Sequence, residues 1–258
     1  MKIGFIQFAP RFGNKKTNLK KIRRLIASVG TDLLVFPEMC TTGYMVKNKM
    51  ELRKLAEVIP NGQTIRELTQ IAKENNSCLI VGMPEIYRGK IFSTAVVISP
   101  KGVIAKHQKS HLFLKEKFLF NKGETKPTLF KWKGINIGLG VCYDYMFPEY
   151  WRTLALKKAD IFCNVANFVY DYGFTLMRSR SIENGVYSIT VNRTGIERGQ
   201  KFRGGSEIIS NRGKIIKKSG RREEIYVVDL NLLKSRNKKW NKYNDLLKDR
   251  RLEMYNII

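Results

Sequence analysis

The sequence predicts an α/β protein whose strands are covered by helices on one face and by a second sheet on the other. Short apolar runs such as Leu33-Leu34-Val35-Phe36 lack the alternation of a half-exposed strand, so both of their faces are expected to be buried. These runs alternate along the chain with segments that read as helices, the pattern of layered α/β architectures. Size fits as well: 258 residues with 43% apolar content can enclose one sizeable core, and no Pro-, Gly- or Ser-rich linker divides them. A single domain over residues 1–258 is therefore expected.

In chain order, residues 2–8 open with strand-like alternation, and 17–29 read as a helix. Residues 33–36 form a buried strand closed by Pro37, which delivers Glu38 at its C-terminal end; the turn Thr41-Thr42-Gly43-Tyr44 follows. A helix over 64–75 precedes strands at 78–82, 94–99 and 103–106, and the last leads into Lys106-His107-Gln108-Lys109-Ser110-His111. An apolar strand over 135–141 ends at Cys142, after which Pro148 and Glu149 suit the first turn of a helix over 148–158. A strand at 161–165, a helix at 172–184 and strands at 187–192, 207–210 and 225–228 complete the chain. It has no internal repeat and no low-complexity segment.

The chemistry concentrates at three of these strand ends. Cys142 stands where a buried strand gives way to a helix, a turn that faces a cavity and aims backbone N–H groups at whatever the side chain attacks. A thiol there, near a cation, is a candidate nucleophile. Glu38, at the end of its own strand, is a candidate general base. Taken singly, Cys142 reads as a buried structural cysteine, Glu38 as a surface acid and Lys109 as a solvated charge.

Order and context change that reading. Phe36-Pro37-Glu38 with Gly43-Tyr44 downstream, then Lys109-Ser110-His111-Leu112-Phe113, then Cys142-Tyr143-Asp144 with Phe147-Pro148-Glu149 downstream, resemble the nitrilase superfamily of carbon–nitrogen hydrolases. The resemblance continues through Trp151-Arg152, Arg180-Ser181-Ile182-Glu183-Asn184, Val191-Asn192-Arg193-Thr194-Gly195 and Phe202-Arg203-Gly204-Gly205-Ser206, and so covers nearly the whole chain. It is similar in particular to the small nitrilase-like hydrolases of thermophilic archaea and bacteria. The resemblance implies a four-layer α-β-β-α sandwich forming one carbon–nitrogen hydrolase domain. It also implies that Glu38 is the general base, Lys109 the cation that stabilises the tetrahedral intermediate, Cys142 the nucleophile and Glu116 a second glutamate beside them. The Tyr143 backbone N–H would complete the oxyanion site, and neither a metal nor an organic cofactor is needed.

Departures from the family pattern bear on substrate. Met146, preceded by Tyr145, occupies a place where many relatives carry an Arg, and members that cleave carbamoyl amino acids use an Arg near there to grip the substrate carboxylate, so an anionic substrate held in that way is not expected. His107-Gln108 replaces the usual Tyr-Arg before the lysine, and the segment Asn164-Val165-Ala166-Asn167-Phe168 lacks the usual proline. Tyr44, Phe113, Tyr145, Met146, Asn167 and Phe168 are expected around the substrate, mostly as an apolar wall suited to small uncharged groups. An amide is the expected substrate, with an aliphatic nitrile as the alternative and an N-carbamoyl compound a weaker one. A catalytically idle, polyanion-binding or scaffolding member of the fold is the reading outside enzymology.

Other functions lack support in the sequence. Gly138-x-Gly140 has Tyr143 where a dinucleotide fingerprint needs glycine, no phosphate-loop motif exists, and Gly204-Gly205-Ser206 has Ile208 where a serine elbow needs glycine. Cys40, Cys78, Cys142 and Cys163 lack metal-ligand spacing, and the two histidines flank Lys109 instead. The formal net charge of +26 is scattered and without interleaved aromatics, so no specific nucleic-acid partner is expected. Residues 1–10 lack a signal-peptide core, no stretch approaches a membrane span, and the unpaired cysteines favour a reducing compartment, so a cytoplasmic enzyme without membrane association is expected. Residues 238–258 carry Trp240, Tyr243, Leu246, Leu247, Leu252, Met254 and Tyr255 among many charges, too apolar for a free tail. Together with the resemblance they imply a homodimer or higher homo-oligomer in which this segment packs on a partner subunit.

Overall fold

A computed structural model describes residues 1–255. The elements run β1 Lys2–Gln7, α1 Lys15–Ile26, β2 Leu33–Val35, α2 Lys49–Leu55, α3 Gln63–Glu74, β3 Cys78–Tyr87, β4 Lys90–Ser99 and β5 Gly102–Gln108. They continue with α4 Glu116–Leu119, β6 Leu129–Trp132, β7 Ile135–Val141, α5 Pro148–Leu156, β8 Ile161–Val165, α6 Tyr172–Asn184 and β9 Tyr187–Val191. The last are β10 Thr194–Glu197, β11 Gln200–Arg203, β12 Glu207–Ile209, β13 Ile215–Lys218 and β14 Glu224–Asp229.

Two six-stranded sheets organise the chain, in the orders β14-β1-β2-β3-β4-β5 and β13-β12-β9-β8-β7-β6. Within each, the central strands pair in parallel and the outer ones antiparallel. The pleat of β2 separates the layers. Leu33 and Val35 join a core shared with Ile137, Leu139, Ile161 and Cys163 of the other sheet, whereas Leu34 and Phe36 pack with Leu19 and Ile22 of α1 and Leu68 and Ile71 of α3. All of these side chains are buried, the Leu, Ile, Val and Phe among them each contributing roughly 1.5–3 kcal/mol of transfer free energy. On β7 the outward positions are Gly138 and Gly140, and a Cβ on Gly140 would lie 2.3 Å from Trp151 of α5. Glycine there lets the helix lie directly on the strand. The result is the expected α-β-β-α sandwich.

Several elements differ from the sequence expectation. The β3–β4 hairpin runs through residues 83–93, well beyond the expected 78–82 and 94–99. Pro84 and Glu85 obscure the pattern, but the buried Glu85 carboxylate accepts from Thr94 Oγ1 (2.8 Å), Gln108 Nε2 (3.1 Å) and Lys106 Nζ, so the strand continues through it. Cys142 opens a tight 3₁₀ turn over Cys142–Met146 rather than the helix itself, while α5 starts at Pro148 as expected. The short elements α2, α4, β6, β10, β11 and β13 carry too little periodicity to stand out in the sequence. Among the described residues, no helix is long and apolar enough to cross a membrane.

Candidate active site

The carboxyl ends of β2 and β7 and the end of β5 converge at the rim of the sandwich. Their neighbours dictate the approach: a Cβ on Gly82 would lie 2.5 Å from the Glu38 Cα, so only glycine lets the Glu38 segment cross β3. Lys109 follows β5 directly, its N–H donating to Ser93 O (2.8 Å).

Glu38, Lys109 and Glu116 form a buried charge cluster. Lys109 Nζ donates to Glu38 Oε1 (3.0 Å) and Glu116 Oε1 (2.7 Å), and neither Glu38 nor Lys109 is exposed at all. Glu38 Oε1 also accepts from Ser93 Oγ (2.9 Å), and Asn167 Nδ2 donates to the Glu38 carbonyl (3.0 Å) and more distantly to its carboxylate (3.4 Å). Glu116, the first residue of α4, accepts from Tyr44 OH (2.7 Å) and from the Phe113 N–H (2.7 Å). Burial, and after it the neighbouring Glu116 charge, raise the Glu38 carboxyl to about 7 against the pull of Lys109. Burial opposes the Lys109 charge, but Cys142, Glu116 and Glu38 together outweigh it and hold the ammonium well above its ordinary range. The cluster is therefore a cation clasped between two carboxylates, one of them poised to exchange a proton near neutrality.

Cys142 sits in the same field. Its φ of +45° is a left-handed conformation that a non-glycine residue adopts only when its surroundings impose it. Burial, followed by Glu38 and Glu116, pushes its thiol well above the ordinary value, while Lys109 and the Asn167 backbone N–H pull it down. The resting thiol keeps its proton, and a base beside it is required for attack.

The turn after Cys142 is held by groups that sequence reasoning missed. Asp144, fully buried, accepts from the Val141 N–H (3.0 Å) and the His111 N–H (3.1 Å) and contacts His111 Nδ1 (2.8 Å) and His107 Nε2 (3.3 Å). Arg180 of α6 caps the turn by donating to the carbonyls of Tyr145 (3.2 Å) and Met146 (3.3 Å). Buried Arg193 donates to Glu197 (2.7 Å), which in turn accepts the backbone N–H groups of Tyr44 (2.8 Å) and Met45 (2.6 Å) and so fixes the arm that reaches Glu116. Asp144 had a sequence signal, since it lies two residues after the cysteine; Ser93 and Glu197 had none.

Phe113, Tyr143, Tyr145, Asn167, Phe168, Val169 and Tyr170 line the cleft over Cys142. The rings interlock, Tyr145 edge-on to Phe168 at 4.9 Å and Tyr143 tilted against Phe113 at 5.0 Å. Free space at the thiol is about 10 Å³, room for about one water, but Phe113, Asn167, Val169 and Tyr170 also border an adjoining cavity of about 460 Å³ that reaches Tyr44 and Glu116. Met146 does not line the cleft, contrary to the sequence expectation. It is half-buried and packs against the apolar cluster that includes Tyr145, Trp151 and Phe174. No group of three or more His, Cys, Asp or Glu side chains among the described residues could hold a metal ion.

Residues 2–238 match the family model for carbon-nitrogen hydrolases. The chain is 36% identical to a nitrilase of Pyrococcus abyssi over 99% of both sequences, and 33% identical to an (R)-stereoselective amidase of a Pseudomonas species over 98% of this chain and 92% of that one. Its fold superposes with a TM-score of 0.82 on a variant of the amidase from Nesterenkonia sp. AN1, 26% identical over 98% of this chain and 97% of that one, in which acrylamide has added to the active site cysteine. With the fold, the buried Glu–Lys–Cys cluster and these relatives in agreement, the chain belongs to the carbon–nitrogen hydrolase family, the nitrilase superfamily, and is a hydrolase of carbon–nitrogen bonds.

Proposed function

We propose that the protein hydrolyses a small, uncharged amide through a Cys142 thioester. The observation that carries this reading is the buried cluster in which Lys109 bridges Glu38 and Glu116 beside the thiol. Glu38 takes the thiol proton as Cys142 attacks the carbonyl carbon. Lys109 and the Tyr143 N–H hold the oxyanion, each such donor being worth roughly 3–4 kcal/mol in well-studied hydrolases. Glu38 returns the proton to the departing nitrogen, the C–N bond breaks and the thioester remains. Glu38 then deprotonates water for attack on the thioester, and collapse of that intermediate releases the acid and restores the thiol.

Among the described residues the aromatic cleft over Cys142 carries no Arg or Lys and only Lys115 borders the adjoining cavity, which favours neutral acyl groups at the thiol over carboxylate-bearing ones. An aliphatic nitrile is the second reading, through a thioimidate that water converts to the same thioester; the nitrilase of Pyrococcus abyssi favours it. N-carbamoyl compounds and a polyanion-binding scaffold role are weaker alternatives. The enzyme acts as one domain in the cytoplasm. It is a homodimer, because Tyr243, Leu252 and Met254 of the C-terminal segment are 82%, 62% and 63% exposed in the single chain.

The test is turnover of a panel of neutral amides, nitriles, carbamoyl compounds and dicarboxylate monoamides by wild type and Cys142→Ala. The wild type should turn over neutral amides, with a mass adduct of the acyl group on Cys142, and the folded variant should be inert. Hydrolysis by Cys142→Ala would refute the covalent route, and preference for a dicarboxylate monoamide would refute the neutral pocket.

A further inference from the structure

His107 and His111 are the only histidines in the chain, and they bracket Lys109. Both reach one carboxylate, that of Asp144, which follows Cys142 by two residues. That carboxylate also accepts the Val141 N–H and so ties the two sides of Cys142 together. A single buried anion thus joins the segment that carries the cation to the elbow that carries the thiol. Resting on the reading of Cys142 and Lys109 given above, we propose that His107 is a positioning residue. Through a fixed ring tautomer it locks Asp144, and with it the left-handed Cys142, against the Lys109 segment.

The hydrogen bonds assign the tautomer. Tyr150 spends its hydroxyl proton on the Leu139 carbonyl (2.5 Å), so at 2.9 Å from His107 Nε2 its oxygen can only accept. Asp144 Oδ2, at 3.3 Å, is likewise an acceptor. His107 Nε2 therefore carries the hydrogen and shares it between the two. On the other side of the ring, Thr125 Oγ1 already accepts the Gln108 N–H (3.0 Å), which leaves its own proton free for His107 Nδ1 at 3.2 Å. His111 donates from its other ring nitrogen. Its Nδ1 lies 2.8 Å from Asp144 Oδ1, which also accepts the His111 backbone N–H, so Nδ1 must donate, and the ring is held flat against Phe147 with centroids 3.7 Å apart. Asp144 consequently receives four hydrogens, two from backbone and two from ring nitrogens.

The strain this resists is local. A non-glycine residue at φ +45° relaxes toward ordinary backbone unless its flanks are pinned, and the Asp144 carboxylate pins Val141 on one side and the turn itself on the other. His107 is entirely buried, and its donation from β5 to Asp144 Oδ2 adds to the two bonds that His111 makes to Oδ1. The sequence shows His107 as a departure from the family's usual residue before the lysine; the structure gives that departure a role.

Nitrogen NMR of protein labelled in histidine tests the assignment directly, because only two rings contribute. His107 should show a protonated Nε2 and a bare Nδ1, and His111 a protonated Nδ1; a His107 ring protonated at Nδ1 overturns the proposal. His107→Phe should slow both turnover and iodoacetamide labelling of Cys142 by on the order of 10- to 100-fold while KM changes less, the scale expected from displacing a reacting group by a fraction of an ångström to one ångström. His107→Gln, which keeps a donor, should recover most of the loss. A variant that melts earlier yet labels and turns over like wild type would show a merely structural residue and refute the proposal. Should His107→Phe fail to fold, Thr125→Val leaves the ring in place and removes the nearer of two hydroxyls at Nδ1, Thr128 Oγ1 remaining at 3.4 Å; because the two acceptors at Nε2 fix the tautomer, the spectrum should keep a protonated Nε2, and a proton moved to Nδ1 would overturn the proposal. Labelling and NMR need no substrate, so they stand apart from Cys142→Ala, whose residual turnover would refute the covalent mechanism instead.

Discussion

Replacing Glu116 with Gln perturbs the buried charge cluster at the member whose role the sequence left most open. Glu116 Oε1 accepts from Lys109 Nζ and Tyr44 OH, both at 2.7 Å, and Oε2 accepts from the Phe113 N–H at 2.7 Å. Glutamine has nearly the same shape but one acceptor oxygen. If that oxygen faces Lys109 and Tyr44, the amide NH₂ meets the Phe113 N–H, donor against donor; flipped, it loses Lys109 and Tyr44. Either way at least one charge-assisted bond is lost in a buried site, about 1.5–3 kcal/mol. Expressed in the transition state, this lowers kcat/KM by roughly 10- to 150-fold. The pH profile adds a signed test. Burial and then the Glu116 charge raise Glu38 to about 7, so kcat/KM of the wild type should rise with pH through about 7 as Glu38 loses its proton and becomes a base. Without the Glu116 charge the Glu38 carboxyl moves down, and this acidic limb shifts to lower pH. The assay is kcat/KM against pH on one neutral amide for both proteins. A variant with wild-type rate and an unmoved acidic limb would show that Glu116 neither holds Lys109 nor acts on Glu38.

Lys109→Ala should abolish turnover and lower stability by about 3–5 kcal/mol at pH 7, because it leaves Glu38 and Glu116 buried without their cation; urea unfolding should show part of the loss recovered as pH falls and the carboxylates take up protons. Burial works against the Asp144 charge, yet the bonds from His107 and His111 hold its carboxyl down at about 2 against an ordinary 3.8. Its contribution of about 2 kcal/mol is therefore present above pH ~4 and lost as pH falls from about 4 to about 2, and acid unfolding of Asp144→Asn should lack that step. Truncation after Asn237 should give monomer or aggregate with impaired activity in light scattering and turnover assays, since it removes the exposed Tyr243, Leu252 and Met254 proposed to meet the partner, together with Lys238, whose Nζ caps the end of α6 at the Asn184 and Gly185 carbonyls (3.1 and 3.0 Å). Residues 256–258 of that segment lie outside the described residues. A monodisperse, fully active dimer would refute this role of the segment.

Much of the fold was legible because burial writes itself locally. Leu33-Leu34-Val35-Phe36 alternates between two apolar environments, and a run that is apolar at every position is what a strand between helices and a second sheet requires. Cys142, Glu38 and Lys109 were legible because each follows a strand end, where side chains leave the pleat for the rim, and because their surrounding motifs are those of a known family. Sequence alone could not decide what meets across 71 residues, as Glu38 and Lys109 do, or across 129, as Glu38 and Asn167 do. Glu116 was indistinguishable from a surface charge between Lys115 and Lys117 until packing buried it against Lys109. Met146 was expected in the cleft, but it follows a left-handed Cys142 within a tight turn, is absent from the cleft lining and is half-buried against the neighbouring apolar cluster. Those outcomes belong to the tertiary structure because a charge has no intrinsic role: its protonation, partners and direction are set by the dielectric and neighbours that only the assembled sheets supply.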